Sequence, residues 1–363
     1  VALPSARRSD VRFLVLAVAL GLSLIEAAGV VITNAPRGGS QDWHVFVDAG
    51  TRAGTPALLH PQHAGDVFAY LPGYAWIFVP FAHLPWTAGV WIGTLLMLAC
   101  GLVAATIAAR VYGIATNDAL LLTFAWTPVL NAIAIAQNAT LGLLMALLAI
   151  FGLTRGSLLL TALPIGALLY KPTYALPLVA LLVVRGRARA LAIVAACAAL
   201  WYVISAAATG GDWRWPADYA EMIARYSGAD FAFNAVKATS MPAVLIRWGA
   251  PVWTIVLASL VLLVAVLVTL RRVDACEAGS AACLAGLALS PHAWPYDAAL
   301  AIPMIVLAWT RLPPRETTIE AIVLALTGPL FLVSSLIGIN PQAVVVIGGT
   351  IAWLIVRRTP ARV

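Results

Sequence analysis

A chain of 363 residues that is 62% hydrophobic and only 10% charged, with a mean hydropathy of +0.95, is not a soluble globular domain. The net charge of +7 does not point to nucleic acid, because the basic residues cluster at the ends of apolar runs, where membrane topology accounts for them. The runs are rich in Leu, Ala and Val without alternation, which excludes a β-barrel and predicts an all-α polytopic membrane protein with room for roughly 12 or 13 membrane segments.

In chain order, Arg7, Arg8 and Arg12 precede the apolar run 13–33, read as an uncleaved first span. Later arginine clusters at Arg110, Arg155, Arg185/Arg187/Arg189, Arg271/Arg272, Arg311/Arg315 and Arg357/Arg358 mark the cytoplasmic side. Threading the runs through these anchors places 34–73, the Gln137-Asn138 turn, Lys171, 210–250, Ser290 to Asp297 and Asn340 to Gln342 on the opposite face. Only arginines fix this orientation, yet most of the unusual polar residues converge on one side. The run Tyr70 to Leu84, with Pro72, Pro80 and Pro85, is short, and parity leaves open whether it crosses or re-enters.

The polar stretch Gln41 to Gly50 reads as an active-site loop. Asp42 follows the first span closely, so partial desolvation could raise its pKa toward that of a useful base; its alternative reading is an N-cap for a helix starting at Trp43. Asp48 reads as a weaker substrate-binding or structural residue. Glu26, inside the first span, is an intramembrane carboxylate that either functions or hydrogen-bonds a neighbouring helix.

Lys171-Pro172 places an ammonium at a helix break, suited to a phosphate or else a snorkelling helix end. The other lysine, Lys237, falls on the same face, near Asn234. Residues 213–226 read as a surface helix with Trp215, Tyr219, Met222, Ile223 and Tyr226 on one face, either guiding a lipid or simply packing. Ser290 to Asp297 brings His292, Trp294 and Asp297 to that side, as a sugar or lipid-phosphate site or as an aromatic belt with a helix cap at Asp297. His44, His60, His63 and Asp66 match no established metal spacing, so no metal and no cofactor is expected.

The order of these blocks resembles a known family. Asp42 to Phe46 after the first span, then Phe68 to Tyr74 leading to Pro80 to Pro85, resembles the first loop and second segment of GT-C membrane glycosyltransferases. The resemblance narrows to polyprenol-phosphate-mannose-dependent α-1,2-mannosyltransferases, the family that includes phosphatidylinositol mannoside mannosyltransferases. Ala136 to Leu141 is similar to that family's Gly-Gln-x-Asn turn, Leu168 to Pro172 to its Lys-Pro break, and Ser290 to Asp297 to its Ser-Pro-x-x-Trp segment. Departures are Phe46 in place of an aromatic hydroxyl, Ala136 in place of glycine, and Tyr296-Asp297 in place of a His-containing pair.

The resemblance implies a GT-C fold in a single domain, in a bacterial plasma membrane, with the active site facing outward. It implies a polyprenyl-phosphate sugar donor, a glycolipid acceptor and no nucleic acid, with Asp42 as base and with Lys171, His292, Asp48, Gln137, Asn138, Tyr70, Trp294, Asn234 and Lys237 binding substrate. An arabinofuranosyltransferase using decaprenyl-phosphate arabinose is the alternative within that class. A lipid or glycolipid transporter is the alternative outside it, although internal repeats of the transporter kind are not evident in the sequence.

Overall fold

The computed structural model describes residues 5–34, 41–61, 67–234, 237–290, 292–332 and 340–358. Every regular element among them is an α- or 3-10 helix, and the chain is an all-α polytopic membrane protein. Among the described residues four helices are long and apolar enough to cross a bilayer: α1 (Ser5–Asn34, apolar from Val11), α4 (Trp86–Tyr112), α10 (Ala188–Ala208) and α13 (Val252–Leu270). At about 1.5 Å per residue they rise roughly 28–40 Å, against a hydrocarbon core of about 30 Å.

Against the expected 12 or 13 segments, the described residues add to these four spans five shorter apolar helices, including α7 (Ala139–Arg155), α9 (Pro172–Val184), α14 (Ala275–Leu289) and α17 (Pro341–Arg358, apolar over 341–357). Such helices rise only roughly 15–26 Å, so they stop short of a full crossing. Arg155, Arg185 and Arg357 lie at the C-terminal ends of α7, α9 and α17, and the opposite ends of α7, α9 and α14 meet the breaks at Ala136-Gln137, Lys171-Pro172 and Ser290.

Proline sets the break before α9. Pro172 occupies the first position of α9, where its missing N–H is not needed, and it holds Lys171 out of the helical region at φ −127°, ψ 89°. Preceding it, α8 (Leu158–Ala167) tightens into a 3-10 turn at Leu168–Tyr170, and the Tyr170 carbonyl accepts from Leu71 N–H at 2.9 Å. The segment 67–71 is thereby fixed against the break.

The stretch with the open parity forms a 3-10 helix, Pro72–Phe78, and one short turn, α3 (Val79–Ala82). These eleven residues cannot span the bilayer. They pack instead on α2 (Gln41–Arg52) and on the C-terminal end of α10, where Ser205 Oγ accepts from Gly73 N–H at 3.0 Å.

The largest fully buried side chain, Trp126, anchors the start of α6 (Thr127–Ala134) by donating Nε1–H to the Ala298 carbonyl at 2.7 Å. A polar knot joins the first span to the same region. Ser23 Oγ lies 2.7 Å from Thr127 Oγ1, and Asn131 Nδ2 donates to Glu26 Oε1 at 2.7 Å. Glu26 is thus bonded to a neighbouring helix, one of the two roles its position allowed.

The expected surface helix is α11 (Trp215–Asn234). Trp215 and Met222 are buried with Leu59 and Ala206, and Tyr219 and Ile223 pack beside them, while Glu221 and Arg225 pair at 2.6 Å on the exposed side. The predicted face is the one that packs.

Candidate active site

Helix α2 begins at Gln41, so Asp42 lies in its first turn and does not cap a helix starting at Trp43. Positions 42, 46 and 49 share one face at helical spacing. Phe46 and Ala49 are buried, so Asp42 points the same way, toward Gln137. Trp43 seats that face. Its ring fills a notch left by Gly93 of α4, where a Cβ would come within 2.6 Å, and it meets Phe78 and Phe81 edge-on at 6.1 and 5.3 Å. Aromatic pairs of this kind contribute about 0.5–1.5 kcal/mol each beyond burial. Phe46 stacks on Phe78 at 4.7 Å within rings alone, which leaves no use for a hydroxyl there.

The Asp42 carboxyl is pushed above its ordinary range. Loss of solvent among these side chains is the largest cause; a hydrogen bond from Gln137 and the charge of Lys171 pull it back, the charge of Asp297 pushes it up, and Lys237 pulls it down. Two lysines and a second carboxylate thus act on Asp42 from three separate parts of the chain.

Gln137 is presented by the end of α6. The Gln137 N–H bonds the Ala132 carbonyl at 2.7 Å and the Ala136 N–H bonds that of Ile133 at 3.0 Å, a Schellman closure that requires a left-handed residue at 136. Comparable ends at Gly156 and Gly186 use glycine at φ +67° and +63°; here Ala136 adopts φ +53°. The Gln137 Oε1 accepts from Tyr70 Oη at 3.0 Å and from Asn138 N–H at 3.1 Å. With its oxygen so occupied, the amide turns its N–H toward Asp42. Burial first, then the charges of Asp297 and Asp42, push the Tyr70 phenol well above its usual range, so it remains a donor. Asn138 immediately precedes α7; Tyr74 Oη lies beside its side chain, yet neither amide atom makes a hydrogen bond of normal geometry among the described residues.

Lys171, read from sequence as a cation for phosphate, is buried and ion-paired. Its Nζ lies 2.5 Å from Asp297 Oδ1 and 3.2 Å from Tyr174 Oη, and Tyr174 also donates to Asp297. The rings of Tyr174, Tyr296 and Tyr70 surround the ammonium at 4.4, 5.4 and 5.5 Å. Asp297 Oδ2 accepts from Trp294 N–H at 2.8 Å, so the cap at this helix start and the ion pair share one carboxylate. Much of the Lys171 charge is therefore neutralised in place.

His292 Nε2 accepts from Trp294 Nε1–H at 2.6 Å, which leaves Nδ1 as the nitrogen that carries its proton. The neighbouring carbonyl of Ala293 accepts from Thr239 N–H at 2.9 Å, and Asn340 Nδ2 donates to the Lys237 carbonyl at 2.5 Å. Three separate polar stretches of the sequence are tied together by these bonds. Lys237 is exposed and pairs with no carboxylate among the described residues.

The remaining expected residues lie elsewhere. Asp48 is turned away from Asp42 and pairs with Arg52 at 2.5 Å, and His44 stacks on Trp86 at 3.8 Å. The Asn234 side chain, His63 and Asp66 lie outside the described residues. The sequence reading missed Tyr174 and the partnership of Asp297 with Lys171. The signal for Tyr174 was its i+3 spacing from Lys171; no spacing rule links Asp297 to a residue 126 positions away.

The assembled site offers a desolvated carboxylate with raised proton affinity, an amide that orients it, an exposed ammonium and a wall of aromatic rings. A family model described as glycosyltransferase family 87 matches residues 68–291, more than half of the chain. That stretch contains Tyr70, Gln137 and Lys171, whereas Asp42 precedes it. No curated protein and no solved structure matches the chain.

Proposed function

Since the chain belongs to glycosyltransferase family 87, we propose that it transfers mannose from a polyprenyl-phosphate donor to a phosphatidylinositol mannoside-like glycolipid, at the extracytoplasmic face of a bacterial plasma membrane, with Asp42 as general base. The observation that carries this reading is the Asp42 carboxyl, raised in proton affinity by burial and held by Gln137. A carboxylate with ordinary affinity is a poor acceptor for a hydroxyl proton; one shifted toward neutrality is better matched to the task.

In the proposed reaction the acceptor oxygen attacks the anomeric carbon as Asp42 takes its proton. The bond from that carbon to the phosphate oxygen breaks, and its electron pair leaves with polyprenyl phosphate. A single displacement inverts the centre, so a β-linked donor gives an α-linked product. No covalent sugar intermediate is needed.

The ammonium groups divide the work of meeting the phosphate. Lys237, exposed and without a carboxylate partner among the described residues, supplies uncompensated positive charge near Asp42. Lys171, held by Asp297 and three rings, contributes chiefly a fixed donor and the shape of the wall. Tyr70 and Trp294 provide faces and edges against which a sugar ring can pack, and the unmatched amide of Asn138 is a group for a sugar hydroxyl. Sugar transfer by the purified protein, with and without the Asp42 carboxylate, tests this reading.

A further inference from the structure

At the cytoplasmic end of α14, about 22 Å along the helix from the residues that carry the site, a second charged assembly has no part in the proposed reaction. Glu277 is buried and accepts from Arg311, from Arg357 Nε at 2.5 Å and from Trp353 Nε1 at 2.8 Å. Asp274 caps α14 through Glu277 N–H at 2.8 Å and pairs with Arg311 at 2.6 Å. These bonds bring together the ends of α14, α15 (Ile302–Arg311) and α17.

Between α13 and α17 this assembly closes one end of a groove of about 1240 Å³. One wall is apolar and exposed: Leu260, Val261, Val264 and Val268 have 46–63% of their surface free. The closed end holds Arg272, Arg311 and Arg357 against Asp274 and Glu277, leaving an excess of one positive charge. Arg272 supplies it, being exposed and without a carboxylate partner among the described residues.

The dimensions select the occupant. From Leu260 to its end at Leu270 the helix rises about 15 Å, matching the roughly 15 Å of hydrocarbon in one leaflet, and Arg272 lies just beyond that end. A soluble anion would use only the arginine end and leave the wall uncovered; an acyl chain covers the wall while its phosphate reaches the arginines. We propose that this groove holds an anionic glycerophospholipid of the cytoplasmic leaflet, its phosphate at Arg272 and one acyl chain along Leu260 to Val268. Charge complementarity favours a headgroup with net negative charge over a zwitterionic one, as for other basic pockets between spans on this side.

The test uses the full chain purified in a non-ionic detergent, with phosphatidylglycerol and phosphatidylcholine titrated separately and bound lipid counted by native mass spectrometry. One phosphatidylglycerol per chain should bind in preference to phosphatidylcholine. Arg272→Gln should weaken it about fivefold, and Val264→Trp, which fills the wall without changing charge, should weaken it comparably. Both positions are exposed, and the lipid-free melting temperature of each variant is read alongside, so loss of fold is distinguished from loss of lipid. Equal binding of the two lipids, or phosphatidylglycerol binding unchanged in both folded variants, overturns the proposal. Displacement of the lipid by millimolar inorganic phosphate would assign the arginines to a soluble anion and overturn it as well.

Discussion

The Gln137 amide is pinned through its oxygen by Tyr70, at 3.0 Å, and hydrogen-bonds Asp42 through its other end. A hydrogen bond to the charged form of a carboxylate lowers its pKa, so Gln137 opposes the upward push of burial. Replacing Gln137 with Leu removes that opposition. The acid limb of the pH–rate profile should move to higher pH, with kcat lower by roughly tenfold at neutral pH. A limb that stays in place while kcat falls would reduce Gln137 to a packing residue.

The same shift has a consequence for stability. The folded-state pKa of Asp42 lies above its unfolded value, so its favourable contribution is complete below the unfolded pKa and is lost as pH rises through the folded one. Asp42→Asn should therefore gain in melting temperature relative to the parent as pH rises through that window. A difference that is flat with pH contradicts the desolvated placement of this carboxyl.

Lys171 and Asp297 form a buried pair, and removal of one partner strands the other. Lys171→Met should destabilise by about 3–5 kcal/mol. Adding Asp297→Asn, which keeps an acceptor for Trp294 N–H, should restore most of the melting temperature. Activity of the double variant then reads the part Lys171 plays in transfer without a folding defect, and Lys237→Ala, at an exposed position, should show the larger loss of donor affinity.

Ala136 is strained where the comparable helix ends carry glycine. Ala136→Gly trades about 1–2 kcal/mol of left-handed strain against a more flexible unfolded chain, so stability should change by less than about 1 kcal/mol with activity kept. Ala136→Val should lower both. Loss of activity in Ala136→Gly at unchanged stability would show that the strain itself holds Gln137 in place.

Topology can be checked at two arginine- or lysine-bearing loops. A cysteine at exposed Lys237 should react with a membrane-impermeant thiol reagent in intact cells, and one at Arg187 should not. The reverse labelling would overturn the shared outer face.

Particular residues show what a sequence can carry and what it cannot. The helical class and the convergence of Asp42, Gln137, Lys171 and Asp297 were legible, because apolar run length and charge position are local properties. The inward face of α2 was not drawn from the sequence, in which 41–50 reads as a loop, although the spacing of 42, 46 and 49 carries it. The state of Lys171 was not, since its partner lies 126 residues away and nothing in either local sequence names the other. His292 is similar: its Nε2 is committed to Trp294 only because the fold brings the two rings edge-on at 4.9 Å. The open parity at Tyr70 to Leu84 was settled by a 3-10 segment too short to cross, a geometry that periodicity does not separate from a short span.

The central claim is that Asp42 is the base of a sugar transfer from a polyprenyl-phosphate donor. It is tested most directly by presenting purified protein with polyprenyl-phosphate mannose or arabinose and a glycolipid acceptor, comparing the parent with Asp42→Asn at matched folding. The account predicts transfer from the mannose donor, reduced on the order of 10²–10⁴-fold in Asp42→Asn. Transfer from the arabinose donor alone would contradict the sugar assigned, and transfer undiminished in Asp42→Asn would contradict the base.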